Sequence, residues 1–113
     1  MIENSSFGSI LVGGEKYTTD ILIYPDGRVA DNWWRQQGHR LTLADLAPLL
    51  AAQPEIIVIG TGVYGRLVPE PGLASTLNAR GIDLVLEPTA AATARFNALH
   101  ASHRTAAGFH LTC

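Results

Sequence analysis

A glycine-rich turn follows an apolar run near the middle of the chain. Residues 56–59 are all isoleucine or valine, and the next six positions read Gly-Thr-Gly-Val-Tyr-Gly. This spelling, G-x-G-x-x-G after a strand, is typical of a dinucleotide-binding turn, in which backbone N–H groups contact a pyrophosphate. The ligand-binding candidates in this stretch are Gly60, Thr61, Gly62, Gly65 and Arg66.

The residues after the turn weaken the dinucleotide interpretation. In a dinucleotide site the helix begins at the second glycine, but here Pro69, Pro71 and Gly72 delay it. The chain also lacks a second nucleotide-binding half. Two alternatives stay open: a loop in which backbone packs against backbone, and a site for a smaller anion or metabolite held by loop N–H groups. We expect His39 or Asn97 to border such a site.

Two adjacent tryptophans, Trp33 and Trp34, form a second candidate. Neighbouring residues on a strand point to opposite faces, so both indoles cannot enter the same core. One is then expected on a second layer, a pocket rim or an interface, and tryptophan is enriched at binding hot spots. The two are therefore candidates for a protein-partner interface or self-association, although both can also be packed within a layered fold.

The remaining reactive residue types do not form a motif. His100, His103, His110 and Cys113 suit zinc by type, but on a closing strand the last two point to opposite faces. No serine has a histidine and an acidic residue placed beside it by sequence. We therefore predict no catalytic residue, no metal site and no cofactor, and consider a non-enzymatic protein more consistent with the sequence.

Composition limits the class of protein further. The chain has 113 residues, which predicts one domain over residues 1–113, with 47% hydrophobic and 16% charged residues. Its net charge of −2, without a basic run, argues against nucleic acid as a partner. No apolar stretch approaches a membrane span, the first residues do not read as a signal peptide, and Cys113 is the only cysteine. We expect a soluble, cytoplasmic protein.

These candidates must be positioned by a β-rich first half and an alternating second half. A short helix is expected after Thr42, ending at residues 53–54, and the second half reads β-α-β-α-β with Thr89 capping its last helix. We predict strands at residues 7–12, 17–24, 28–35, 56–59, 82–87 and 106–113, those at 56–59 and 82–87 being buried. A mixed sheet with helices against it is the expected architecture.

The order of these motifs resembles the Mth938-like family over nearly the whole chain. The resemblance rests on FGSILVGG near the start, NWWR, IIVIGTGVYG and the helix segment ARFNALH. It also includes Tyr17, Asp20, His39, Gly81 and Thr89. Where many relatives have a Glu-Gly-Arg-Arg-like turn before the last strand, this chain has Ser-His-Arg-Thr at residues 102–105.

The resemblance implies a three-layer α/β fold with a mixed central sheet, helices and an additional β-hairpin layer. It implies no established enzymatic activity. One branch of the family is known as a mitochondrial assembly factor for respiratory complex I, and another is linked to adipocyte differentiation, which are partner-binding roles. We therefore expect a binding or assembly module that acts through protein partners. The alternative is a small-molecule or anion-binding protein, with or without enzymatic activity, that uses the glycine loop.

Overall fold

The computed structural model describes residues 1–113 as ten strands and three α-helices. The first half contains β1 (Ile2–Ser6), β2 (Ser9–Val12), β3 (Glu15–Tyr17), β4 (Ile21–Ile23), β5 (Val29–Ala30), β6 (Arg40–Leu41), a 3₁₀ turn (Ala44–Leu46) and α1 (Ala47–Leu50). The second half contains β7 (Ile56–Thr61), β8 (Val68–Pro69), α2 (Leu73–Ala79), β9 (Asp83–Glu87), α3 (Thr89–His100) and β10 (Thr105–His110). No helix is long and apolar enough to cross a lipid bilayer.

A five-stranded mixed sheet forms the centre, in the order β5-β4-β10-β7-β9. β10 pairs parallel with β7 and antiparallel with β4, and β7 pairs parallel with β9. The parallel pairs arise from the β-α-β-α-β order of the second half, as the sequence predicted. β7 and β10 are buried at every position, which is why both read as continuous apolar runs.

The central sheet separates two apolar clusters. Alternate residues of the same strands enter opposite clusters, for example Ile23 and Val58 on one side and Leu22 and Ile59 on the other. The first side is covered by α3 and by an antiparallel sheet of β1, β2 and β3, and the second by α1, α2 and the segment around Trp33. The fold is therefore the expected three-layer α/β arrangement with an additional hairpin layer.

The first half departs from its predicted boundaries. Residues 2–6 form a strand that the sequence analysis did not anticipate, because only one of the five, Ile2, is buried. The predicted strand at 17–24 is two strands separated at Asp20, and only residues 29–30 of the predicted strand at 28–35 pair in the sheet. The strand is interrupted before Ile21, and the side chain of Asp20 makes tertiary hydrogen bonds there, described below.

Two predictions in the second half also need correction. β9 was expected to be buried, but it is the edge of the central sheet and its residues are exposed or half-buried. Thr89 does not cap α3, whose first turn has no side-chain cap. Its hydroxyl instead accepts from the Gly62 amide at 3.0 Å and donates to the His110 carbonyl at 2.6 Å. The short helix after Thr42 is confirmed.

Candidate functional site

Three charged or titratable side chains meet at one end of the inner strands of the central sheet. We call them the Asp20 cluster: Asp20, Arg35 and His110. Arg35 Nη2 and His110 Nδ1 both donate to Asp20 Oδ2 at 2.8 Å. The Leu111 amide donates to Asp20 Oδ1, also at 2.8 Å. A carboxylate only accepts, so its contact with Nδ1 places the histidine proton on that nitrogen.

The topology explains why residues 90 positions apart in sequence meet here. Asp20 directly precedes β4, and His110 is the last residue of β10. Because β4 and β10 are antiparallel, the start of one lies beside the end of the other. The carboxyl end of β7 lies at the same end of the sheet. The pairing changes at β10, which is parallel to β7 and antiparallel to β4. Such points are where open α/β sheets commonly place ligands.

Trp33 fixes the segment that carries Arg35. Its indole lies over Gly108, where an added Cβ would stand 2.8 Å from two ring carbons. Its Nε1 donates to the Asp45 carbonyl at 3.1 Å, and the Arg35 guanidinium carbon lies 4.8 Å from a ring centroid of the indole. The Asp45 carboxylate accepts from the amide of Thr42 at 2.9 Å. Trp33 is therefore a structural residue that positions the arginine.

A cavity of about 370 Å³ lies against the Asp20 cluster. Trp34 borders it with 82% of its surface exposed, whereas Trp33 is only 7% exposed. The side chain of His39 is also exposed at this cavity, 5.9 Å from the His110 ring and 4.0 Å from Cys113 Sγ. The lining residues are Thr18, Thr19, Asp20, Asn32, Trp33, Trp34, Arg35, Gly38, His39, His110 and Thr112.

The Asp20 carboxylate is stabilised in its charged form. Burial alone raises the pKa of Asp20, but hydrogen bonds from His110, from the Leu111 amide and from Arg35 outweigh it. The pKa of Asp20 therefore lies below its ordinary value of 3.8. At neutral pH the carboxylate and the guanidinium form a partly buried ion pair, with 16% and 6% of their side chains exposed.

Asp20 is fully engaged within the cluster, whereas His110 retains one ring nitrogen without a partner. Both Asp20 oxygens are already occupied by internal donors. An Asp–His pair can orient a general base, which acts on a water, a side chain or a bound molecule within hydrogen-bond reach. His110 Nε2 has no hydrogen-bond partner in the structure. The cluster is thus a rigid, polar wall with unused hydrogen-bonding groups.

The glycine loop packs against the C-terminal segment. An added Cβ at Gly62, where φ is +101°, would lie 2.9 Å from the carbonyl oxygens of Thr112 and Cys113. An added Cβ at Gly60 would lie 2.5 Å from the Phe109 ring. The glycines are therefore explained by close approach of backbone and core side chains.

The loop's amides mostly have internal partners. Gly62 N–H donates to Thr89 Oγ1, Val63 N–H to the Thr112 carbonyl, and Gly65 N–H to the Gly62 carbonyl. The Leu67 amide donates to the carbonyl of Thr61, which is buried. These donors are not available to an anion as the loop stands, and ligand binding at the loop stays a prediction.

The other predicted ligand residues are separated in space. Asn97 bonds the backbone of Ile2 through both its amide atoms, at 2.9 and 2.8 Å, and so joins α3 to β1. Arg66 is exposed, with its guanidinium carbon 5.8 Å from the Tyr64 ring centroid. Of the predicted set, only His39 lines the large cavity, together with both tryptophans. No group of three or more His, Cys, Asp or Glu side chains is placed to hold a metal ion.

Sequence reasoning missed Asp20 and His110 as partners. Asp20 entered the sequence analysis only among the residues that carry the family resemblance, and His110 only as part of a zinc-like spacing. The available signal was a carboxylate directly before the apolar run Ile21–Ile23, because a carboxylate next to a buried strand needs partners. The identity of those partners depends on the sheet order, which the sequence does not specify.

Comparison with known proteins places this geometry in a family. The family model described as "Protein of unknown function (DUF498/DUF598)" matches residues 2–111. The chain belongs to the DUF498/DUF598 family. The match covers every strand and helix of the fold, the glycine loop and all three members of the Asp20 cluster.

Solved structures similar to this DUF498/DUF598 chain support the assignment. A conserved hypothetical protein, PH1505 from Pyrococcus horikoshii OT3, is 27% identical over 100% of this chain and 99% of its own, with a TM-score of 0.85. The protein MT938 is 30% identical over 100% and 98% of the two chains, with a TM-score of 0.82. A Mth938-like domain protein from Bordetella pertussis is 22% identical over 98% and 85%, with a TM-score of 0.70. The fold is thus Mth938-like, as the motifs suggested.

Proposed function

We propose that the protein is a non-enzymatic binding or assembly module that holds a protein partner at the cavity beside the Asp20 cluster. The observation that carries this proposal is the exposure of Trp34, 82% at the border of a 370 Å³ cavity. A large aromatic side chain left in water next to a concave polar surface is typical of a binding anchor. We place this activity in the cytoplasm, since a single cysteine leaves no disulfide within the chain.

The surroundings of Trp34 support an anchoring role. Its neighbour Trp33 is held by packing and a hydrogen bond, and Arg35 is held by the ion pair with Asp20. The exposed indole therefore projects from a rigid segment, so that little backbone freedom is lost when a partner covers it. The partner is a different protein or a second copy of this chain.

Substitution of the exposed tryptophan tests this proposal. We expect Trp34→Ala to weaken the complex by roughly 30-fold, since a hot-spot residue contributes at least ~2 kcal/mol. Proteins captured by the wild-type chain would be identified, purified and titrated against it, and self-association would be followed on a sizing column. Tyr64→Ala is the matched control, because Tyr64 is also exposed, at 68%, but does not line the cavity.

The two variants separate the possible outcomes. A complex lost with Trp34→Ala and kept with Tyr64→Ala supports the proposal. If every complex and the oligomeric state survived both substitutions with unchanged affinity, the Trp34 surface would not be the binding site and the proposal would be wrong.

A further inference from the structure

Arg35 presents a buried hydrogen-bond donor that the protein does not use. Its Nη2 donates to Asp20 and its Nε to the Gly38 carbonyl at 3.2 Å, but Nη1 has no partner. Only 6% of this side chain is exposed. Leaving a buried charged donor unpaired is costly, and native structures rarely do so without water or a ligand completing the site.

His110 presents a second unpaired group on the same wall. Its Nδ1 donates to Asp20, and its Nε2 is buried without a partner. Only 8% of the His110 side chain is exposed, and Arg35 Nη2 lies 3.1 Å from His110 Nδ1. Two neighbouring residues of the cavity lining, each with a side chain more than nine-tenths buried, thus carry a buried nitrogen atom without a partner. This is a built polar site.

The charge of the cavity selects the kind of ligand group. Arg35 is the only arginine or lysine in the lining, and Asp20 balances its charge. A group with one negative charge suits this wall better than a phosphate dianion. A carboxylate oxygen is a strong, charge-assisted acceptor for the one guanidinium nitrogen that has no partner, Nη1. Nearby Thr18, Asn32 and Thr112 add neutral side chains that can hydrogen-bond to the rest of a peptide.

We infer that this cavity recognises a peptide carboxylate, which accepts a hydrogen bond from Arg35 Nη1 while an adjoining apolar side chain packs on Trp34. The inference rests on the proposed function, because it names the group that the protein partner presents. The carboxylate belongs to a C-terminus or to an acidic side chain of the bound segment. His110 Nε2 and the threonine and asparagine side chains then contact polar atoms beside the carboxylate.

An NMR titration of the wild-type protein tests the chemistry directly. The probes are N-acetyl-leucine, its neutral isostere N-acetyl-leucinamide, and inorganic phosphate. We expect N-acetyl-leucine to shift the Leu111 amide, the Arg35 Nε–H and the Trp34 indole signals in a saturable way. The neutral amide is expected to bind at least tenfold more weakly, and phosphate no more tightly than the carboxylate. Equal binding of acid and amide, tighter binding of phosphate, or no shift with N-acetyl-leucine would overturn the inference.

A charge-conserving variant locates the binding group. Arg35→Lys retains the positive charge but removes the planar guanidinium and with it the Nη1 donor, so we expect at least tenfold weaker binding of N-acetyl-leucine. Arg80→Lys is the matched control at an exposed arginine outside this cavity and should bind as the wild type does. Unchanged binding by a folded Arg35→Lys protein would contradict the inference. If that variant does not fold, the comparison of acid and amide on the wild-type protein decides.

The peptide probes also separate this inference from the proposed function. N-acetyl-leucine should compete with the purified partner, and a C-terminally amidated or acid-to-amide variant of the partner segment should bind more weakly. A complex that depends on Trp34 but resists both changes would leave the proposed function standing and refute the carboxylate. Binding of N-acetyl-leucine without any Trp34-dependent complex would support the carboxylate site and refute the proposed function.

Discussion

At the scale of single residues, Asp20 holds the site together by accepting three hydrogen bonds. It accepts from Arg35, His110 and the Leu111 amide, and thereby orients the guanidinium whose Nη1 remains free. The pKa of Asp20 is lowered in the folded protein, because these hydrogen bonds outweigh the effect of burial, which raises it. A depressed carboxyl pKa makes the folded state more stable wherever the carboxylate is ionised.

We expect Asp20→Asn to destabilise the protein by about 3 kcal/mol at pH 7, since it leaves Arg35 without its counter-charge. The difference from wild type should be fully present above pH 3.8, the ordinary pKa of this carboxyl. It should shrink as the pH falls through the lowered native pKa, where the wild-type carboxyl also becomes neutral. Urea unfolding at several pH values measures both quantities.

Asp31→Asn is the control for the effect of pH on exposed carboxylates. Asp31 is exposed, and its side chain makes neither an ion pair nor a hydrogen bond in the structure, so we expect its stability curve to follow that of the wild type. A pH-independent loss with Asp20→Asn would show that the ionised carboxylate is not what stabilises the fold.

At the scale of elements, Thr89 joins three parts of the fold. Its hydroxyl at the start of α3 bonds the Gly62 amide after β7 and the His110 carbonyl at the end of β10. All of these groups are buried, and Thr89 itself is only 2% exposed. The hydroxyl thus fixes the backbone carbonyl of His110, the residue whose ring contacts Asp20.

We expect Thr89→Val to cost about 2 kcal/mol, because it leaves a buried N–H and a buried carbonyl without partners. Thr89→Ser keeps the hydroxyl and should lose less stability. Urea unfolding compares the two, and hydrogen exchange at the Gly62 amide reports the local loss of protection. Equal stability of the valine and serine variants, with unchanged exchange at Gly62, would contradict this role.

The elements of the second half were predictable, and those of the first half only in part. The strands at 56–61 and 105–110 are buried throughout and each follows a helix in the chain, so local sequence determines them. β1 exposes most of its residues and depends on pairing with β2 and on the Asn97 amide. The pattern of residues 2–6 alone cannot show such tertiary support.

The sequence analysis named three residues of the candidate site, but not as one group. The adjacent tryptophans indicated an interface, and His39 was expected beside the glycine loop, whereas the structure places all three at one cavity. The Asp20 cluster was not predictable, because it requires β10 to insert between β4 and β7. Gly62 was likewise predicted to belong to a ligand-binding loop. In the structure the space beside its Cα is filled by backbone atoms of residues 112–113, which are distant in the chain.

At the scale of the whole molecule, the central sheet makes two cores depend on each other. β4, β7 and β10 each contribute alternate side chains to both apolar clusters. Neither cluster can therefore form without the strands that build the other. Loss of one face should unfold the molecule in a single cooperative step, as small domains usually do.

We expect Ile23→Val, on the α3 face, and Ile59→Val, on the Trp33 face, each to cost about 1 kcal/mol. Both isoleucines are fully buried, which makes the pair a matched comparison across the sheet. Tryptophan fluorescence reports on the Trp33 face, and far-UV circular dichroism reports on the whole chain. Both signals should give the same urea midpoint in each variant, because the two clusters share strands. If Ile23→Val lowered the midpoint seen by circular dichroism and left the fluorescence midpoint unchanged, the two faces would unfold separately, and the cavity would not need the opposite layer for its rigidity.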